Sequence, residues 1–298
     1  MNITLTGASG FIGGALIARL KGDGHQIHLL GRSAPKDASI KFSKWDAMGN
    51  QPPERQAIAS ADAIIHLAGE PVAQRWTPDI KRRIRLSRVN GTRRLVDAIE
   101  AAVERKPKTL IAASAIGFYG NRGDEIVNET SKPGKGFLPE VCGGWESAAQ
   151  SASNYGLRVV LLRIGIVLGR NGGALAQMLP IFRMGAGGRI GNGRQWMSWI
   201  HLDDLIGILM LALNDDKLSG PINGTAPKPV TNALFTHTLG EVIHRPAVLP
   251  VPEFGLRMLY GEMAQVLTEG QRVMPEAALR AGYQFLYPDL RSALTAAV

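Results

Sequence analysis

The chain has 298 residues, 45% hydrophobic and 20% charged, the proportions of a globular protein with room for a substantial core and for two domains or lobes. No apolar stretch reaches the roughly 18–20 residues of a membrane helix, the longest being LIGILMLAL at 205–213, and the single cysteine, Cys142, excludes an internal disulfide framework and suits a reducing compartment, so the expected location is the cytoplasm. The net charge of +9 raises nucleic acid as a partner, but no zinc-ligand spacing, aromatic–basic interleaving or low-complexity arm accompanies it; no metal site is expected, and attraction for small anions explains the sign equally well.

In chain order, NITLT (2–6) reads as a strand and runs straight into TGASGFIGG. A secretory signal is not expected, because a strand and a glycine turn stand where a charged segment and an apolar stretch would. From Phe11 to Leu20 a helical stripe of Ile12, Ala15, Leu16 and Leu20 follows, ended by GDG at 22–24. Strand, glycine turn and helix form the context of a dinucleotide fingerprint. Gly7 permits the turn, Gly10 lets backbone approach a pyrophosphate, and Gly13 lets the helix pack closely. Ser9, Phe11 and Ile12 complete the segment whose unpaired amides face the anion.

The next strand, QIHLL (26–30), ends in Gly31, Arg32 and Ser33, with no acid before Asp37. A carboxylate there would accept from a ribose 2′-hydroxyl, whereas arginine suits a 2′-phosphate, so NADP is favoured over NAD. IKF (40–42), AIIHL (63–67), TLIAAS (109–114) and RVVLLRIG (158–165) are further strands, and DIKRRIRLSRVNGTRR (79–94) reads as one basic helix. Strands apolar at nearly every position, alternating with helices, predict a doubly wound parallel α/β sheet of Rossmann type. After residue 168 the texture changes to glycine-rich loops (169–175, 185–194) and helices at 203–214, 232–244, 253–266 and 288–297, the last capped by Asp289. The expected organisation is a dinucleotide-binding domain over 1–168 and a smaller, mostly helical substrate lobe over 169–298, with later strands free to join the first sheet.

The G-x-x-G-x-x-G spacing, HLAG at 66–69, LRIGIVLG at 162–169, WIHLDDL at 199–205 and PING at 221–224 together resemble the extended short-chain dehydrogenase/reductases. HLAGEP, SRxxxT at 87–92 and MLPIFRMGAGGRIGNGRQWMSWIH are similar to one atypical branch, described as epimerase-like, as nucleoside-diphosphate-sugar epimerases or as cell-division-inhibitor-like, and the likeness extends past His244. It implies cofactor contacts from Leu67, Ala68 and Gly69, and an adenine contact from Asp46. The broad family's catalytic signature is a tyrosine followed four residues later by lysine, the lysine lowering the phenol pKa. None of the five tyrosines here has that lysine; alignment puts Leu138 and Cys142 in the two places, with Glu146 at a downstream acid.

Proton handling then falls to Ser114, Glu70 or Tyr119. Ser114 matches the family serine or is a strand-end cap. Glu70 emerges at the ligand-binding edge as acid or base, or is a loop carboxylate. Tyr119 supplies a phenol, or packs. Cys142 reads as a small buried residue rather than a nucleophile. On the basic helix Ile80, Ile84, Gly91 and Leu95 form an inward stripe that Ser87 and Arg88 interrupt; an inward arginine needs an anion or acceptors, which leaves Arg88 between the cofactor pocket and a buried ion pair. The helix's other arginines are expected in solvent. Arg163 and His201 match family positions near the sheet edge or are structural, Arg163 then pairing with Asp203 or Asp204. Arg189 and Arg194 are mobile loop charge or a substrate clamp. The expected function is an NADP-binding, epimerase-like oxidoreductase for a small polar or nucleotide-linked substrate, against a non-catalytic NADP sensor.

Overall fold

A computed structural model describes residues 1–102, 105–170 and 172–298. Asn171, in the first glycine-rich loop, lies outside the described residues. Seven parallel strands form the central sheet: β1 (Asn2–Thr6), β2 (Gln26–Gly31), β3 (Lys41–Lys44), β4 (Ala63–His66), β5 (Thr109–Ala115), β6 (Arg158–Ile164) and β7 (Gly220–Gly224). Their order across the sheet is β3-β2-β1-β4-β5-β6-β7. The six strands read from the sequence are all present, and PING supplies the seventh from beyond residue 168. Winding starts at β1, proceeds outward to β3, then returns to β4 on the other side. This reversal opens a crevice between β1 and β4 at their carboxyl ends.

Because side chains alternate along a strand, each apolar strand feeds two cores. Ala63 and Ile65 of β4 and Val160 and Leu162 of β6 pack with Leu16 and Leu20 of α1 (Phe11–Gly22) and with Ile206 and Leu209 of a later helix, Leu202–Asn214. Ile64, Val159 and Leu161 face the opposite way, onto Leu95, Val96 and Ile99 and onto Ala149. Both faces are thus covered, which is why the strands carry apolar residues at nearly every position. The C-terminal part has its own core around Trp199, Phe235, Leu239 and Leu294, including the last helix, Leu290–Ala297, whose Asp289 accepts from Ser292 N as expected of a cap.

Two elements differ from the expectation. The stretch 253–266 is not one helix: Glu253–Tyr260 stops at Gly261 (φ 59°), and a tighter turn over Gly261–Ala264 carries the chain on. The basic helix is likewise composite. It runs as α2 (Pro78–Arg85), capped by Thr77, then a π-helical turn (Leu86–Asn90), then α3 (Gly91–Glu100). One wider turn re-phases the inner face where Ser87 and Arg88 lie, and such insertions often mark functional sites. Nor are all its other arginines left in solvent. Arg83 pairs with Glu70 and Arg94 donates to the Ala47 carbonyl at 2.7 Å, both acceptors brought close by the sheet-edge loops. Among the described residues no helix is long and apolar enough to cross a membrane.

Candidate functional site

The carboxyl ends of β1, β2 and β4 border a cleft of about 640 Å³, lined by Gly7–Gly10, Gly31–Lys36, Trp45–Met48, Leu67–Pro71 and Ser87. The glycine turn forms its floor. Gly7 has φ 74°, and a Cβ there would stand 2.6 Å from the Leu67 carbonyl carbon and 2.8 Å from Ala68 N. A Cβ on Gly13 would meet the Gly7 carbonyl oxygen at 2.3 Å, so turn, helix and the neighbouring HLAG loop are in backbone contact. Gly10 is the N-cap of α1 and no side chain caps the helix, leaving its first amides and the positive end of its dipole free for an anion. Phe11 and Ile12 do not border the cleft: their side chains pack into the core, the Phe11 ring lying where a Cβ on Gly172 would come within 2.1 Å. Their contribution is main chain.

At one end of the cleft stand Gly31 and Arg32, followed by Ser33 and Lys36. Arg32 is exposed and has no ion-pair partner among the described residues. Lys36 adds a second cation there that the sequence reading missed; its signal was only a lysine five residues past the strand end. Asp46 borders the same end. One of its oxygens accepts from Met48 N at 3.0 Å, which fixes the carboxylate.

Leu67, Ala68 and Gly69 form the adjoining wall, held by a buried relay. Ala68 N donates to Thr6 Oγ1, which lies 2.7 Å from His66 Nδ1, and His66 Nε2 is 3.0 Å from Thr92 Oγ1 on α3. His66 was not singled out in the sequence, since nothing local distinguishes a buried strand histidine. Burial lowers its pKa from 6.5 to about 4. Between those values the unfolded chain binds the extra proton and the folded chain does not. Stability from this group is therefore whole above pH 6.5 and drains as pH falls toward 4, by about 3 kcal/mol in all. Melting temperatures at pH 7 and pH 5 are expected to differ less in His66→Gln than in the native chain; equal differences would show that His66 is not the group responsible.

Beyond this wall the three proton-handling candidates separate. Glu70 borders the cleft and pairs with Arg83 at 3.2 Å. Ser114 and Tyr119 are buried in a polar network behind it. Ser114 Oγ donates to Glu146 Oε1 at 2.6 Å. Arg163 grips both oxygens of Glu146 at 2.8 Å each and donates from Nη1 to the Tyr119 hydroxyl at 2.9 Å. That hydroxyl donates to Asn223 Oδ1 at 2.7 Å, and Asn223 N in turn donates to Glu129. Burial pushes the Tyr119 phenol up, against the pull of Arg163. The partner of Arg163 is thus Glu146, not Asp203 or Asp204. Asp204 instead accepts from Leu286 N and Tyr287 N, anchoring the C-terminal segment, and His201 caps helix Leu202–Asn214 by accepting from Asp203 N.

Leu138 and Cys142 lie on α4 (Phe137–Gln150). Leu138 packs against the apolar cluster of Trp76, Ile84, Val141 and Met263, and the Cys142 thiol is buried, pushed up to about 12, as a packing residue should be. Arg189 is exposed and Arg194 lines a separate, smaller groove with Asp124 and Trp196; neither borders the cleft.

Comparison with known proteins adds the following. Residues 3–223 match the family described as "NAD dependent epimerase/dehydratase family", and residues 251–297 match "Domain of unknown function (DUF1731)". The chloroplastic epimerase family protein SDR39U1 homolog of Arabidopsis thaliana is 44% identical, over 99% of this chain and 86% of that protein. Epimerase family protein ML0860 of Mycobacterium leprae is 41% identical, over 98% of this chain and 94% of that protein. The crystal structure of human epimerase family protein SDR39U1 (isoform 2) with NADPH superposes with a TM-score of 0.89 at 35% identity, covering 99% of this chain and 98% of that one.

Proposed function

The chain belongs to the NAD dependent epimerase/dehydratase family, and we propose on that premise that it is an NADP-binding, epimerase-like oxidoreductase of the cytoplasm, acting on a small polar or nucleotide-linked substrate. One observation carries this reading: a cleft whose floor is uncapped helix amides and close-packed glycines, and whose end carries Arg32 and Lys36, the first acid on the β2 loop, Asp37, being paired with Lys21. The donor set fits the group. Free amides at the start of α1, Phe11 to Gly13, would hold a pyrophosphate, and Arg32 with Lys36 a 2′-phosphate. Asp46 would accept from the adenine amino group, and Leu67–Gly69 would flank the middle of the molecule. When bound, the nicotinamide supplies or accepts a hydride at the sheet's carboxyl edge. We assign residues 1–168 to this binding and 169–298 to substrate.

Of the three candidates Glu70 is the one that borders the cleft, so the exchanged proton is assigned to it, with Arg83 holding its carboxylate. Ser114, as donor to Glu146, turns lone pairs rather than its proton toward a ligand. Tyr119 spends its phenol on Asn223 and Arg163 and serves the architecture. A second reading rests on the same network: with Leu138 and Cys142 in the catalytic places, the protein is a sensor that binds NADP without turnover. A panel of carbonyl compounds and sugar nucleotides separates the two. The enzyme oxidises NADPH with at least one of them, and turnover drops on the order of 100-fold in Glu70→Gln, the scale of a lost general acid. No turnover across the panel, with intact NADPH binding, favours the sensor.

A further inference from the structure

The core around Trp199 and Phe235 takes in most of the apolar side chains of the C-terminal part, but two segments keep theirs outside. Of the thirteen large apolar residues exposed among the described residues, seven lie within 181–184 and 248–259. Met184, Val248, Phe254, Met258 and Leu259 are 66–80% exposed, so most of each side chain stands in solvent. The two segments run side by side. Arg245 Nε donates to the Arg183 carbonyl at 3.1 Å, Val251 N to the Arg189 carbonyl at 2.8 Å, and Gly191 N to the Val251 carbonyl at 2.9 Å. The helix Glu253–Tyr260 continues this seam and buries none of its residues. On it Phe254, Arg257 and Met258, at i, i+3 and i+4, form one outward face. The exposed residues thus make a continuous patch, and such patches mark interaction sites.

The patch is also cationic. Segments 181–193 and 244–260 contain four arginines, Arg183, Arg189, Arg245 and Arg257, and one acid, Glu253. All four arginines are exposed, and none has an ion-pair partner among the described residues. The Glu253 carboxylate is turned inward against Gly191. Outward, large apolar tips stand among positive charges, the combination that settles on an anionic bilayer. A second copy docked by the same face would set arginine against arginine across the symmetry axis. A folded acidic partner would need a fitted pocket for each projecting tip, whereas a fluid bilayer accepts them in any arrangement.

We propose that the face formed by 181–191 and 245–259 rests on an anionic lipid bilayer. Val248, Leu249, Phe254 and Met258 enter the boundary between headgroups and acyl chains, and the four arginines pair with lipid phosphates. The chain lies on the bilayer without crossing it, as no helix among the described residues is long and apolar enough to span. None of these residues borders the dinucleotide cleft, so the docking does not depend on the cofactor reading.

Co-sedimentation of the full chain with vesicles tests it, using phosphatidylcholine alone and phosphatidylcholine with an equal part of phosphatidylglycerol. The expected result is binding to the mixed vesicles at least ~10-fold tighter than to phosphatidylcholine, weakening as salt rises. Two double variants, Phe254→Ser with Met258→Ser and Arg189→Gln with Arg257→Gln, are each expected to lose at least ~10-fold of that affinity. Their melting temperatures should stay at the native value, because all four side chains are exposed; if one pair fails to fold, the other reads the same face. No binding to the mixed vesicles overturns the proposal, as does equal binding to both compositions or binding that a folded double variant leaves unchanged. Polyglutamate bound as tightly as the mixed vesicles would assign the face to an acidic protein, and a dimer that Phe254→Ser with Met258→Ser dissolves would assign it to a second copy; either result overturns the bilayer.

Discussion

Gly7→Ala is expected to abolish measurable dinucleotide binding and to lower stability by about 2–4 kcal/mol. Two costs combine. Gly7 has φ 74°, where a Cβ strains the backbone, and that Cβ would lie 2.6–2.8 Å from main-chain atoms of Leu67 and Ala68. Main chain cannot step aside as a flexible side chain does, so the turn and the HLAG loop must separate. That displaces the amides the cleft presents, and a loss on the order of 100-fold in affinity or more follows from a few kcal/mol. Gly24 provides the control: it has φ 76° but nothing within 4 Å of its Cβ position. Gly24→Ala is expected to cost only the backbone strain, about 1 kcal/mol, and to leave binding intact. Equal effects at the two glycines, read by melting and calorimetry, would refute the close-packing argument.

Arg163→Ala carries the largest expected loss of stability. The residue is 4% exposed and its side chain spans Glu146, Tyr119 and the Glu129 carbonyl, with Phe118 beneath it at 3.6 Å. Removing it strands the Glu146 carboxylate in the interior, which typically costs 3–5 kcal/mol, or about 5–15 °C in melting temperature. Desolvation opposes the pair while the bidentate contact favours it, so the damage comes from the stranded charge more than from a lost attraction. The double variant Arg163→Met with Glu146→Leu removes both charges and is expected to melt well above Arg163→Ala. A double variant as unstable as the single one would mean that the ion pair itself, rather than its imbalance, sustains this region.

The contrast between these sites shows what a sequence discloses. The glycine turn was readable because all its constraints are local: a strand, three glycines and a helix, within a dozen residues. The sheet was readable because a strand apolar on both faces must be covered on both faces, as a parallel sheet between helix layers is. The partner of Arg163 was not, because Glu146 arrives from α4, and although it is 17 residues away and nearer in the chain than Asp203 or Asp204, distance along the chain does not say which element packs over the strand. Arg88 was half readable. Helical spacing put it inward, but a regular helix was assumed, and the π-turn, from which Arg88 donates to the Glu70 carbonyl without bordering the cleft, leaves no compositional trace. The break at Gly261 shows the same limit, since an apolar periodic segment gives no notice of where packing against α2 and α4 will bend it. His66 was read only as the first residue of HLAG, with no sign that its neighbours would be Thr6 and Thr92.

The central claim is that the glycine-floored cleft holds a nicotinamide dinucleotide whose 2′-phosphate meets Arg32. Titration calorimetry of the native chain and of Arg32→Ala, each with NADPH and NADH, measures it most directly. The native chain should prefer NADPH by at least ~10-fold and Arg32→Ala should lose most of that preference, as a charge-assisted contact of about 1.5–3 kcal/mol requires. A native chain that binds neither nucleotide, or an NADPH-to-NADH ratio untouched by removing Arg32, would contradict the account.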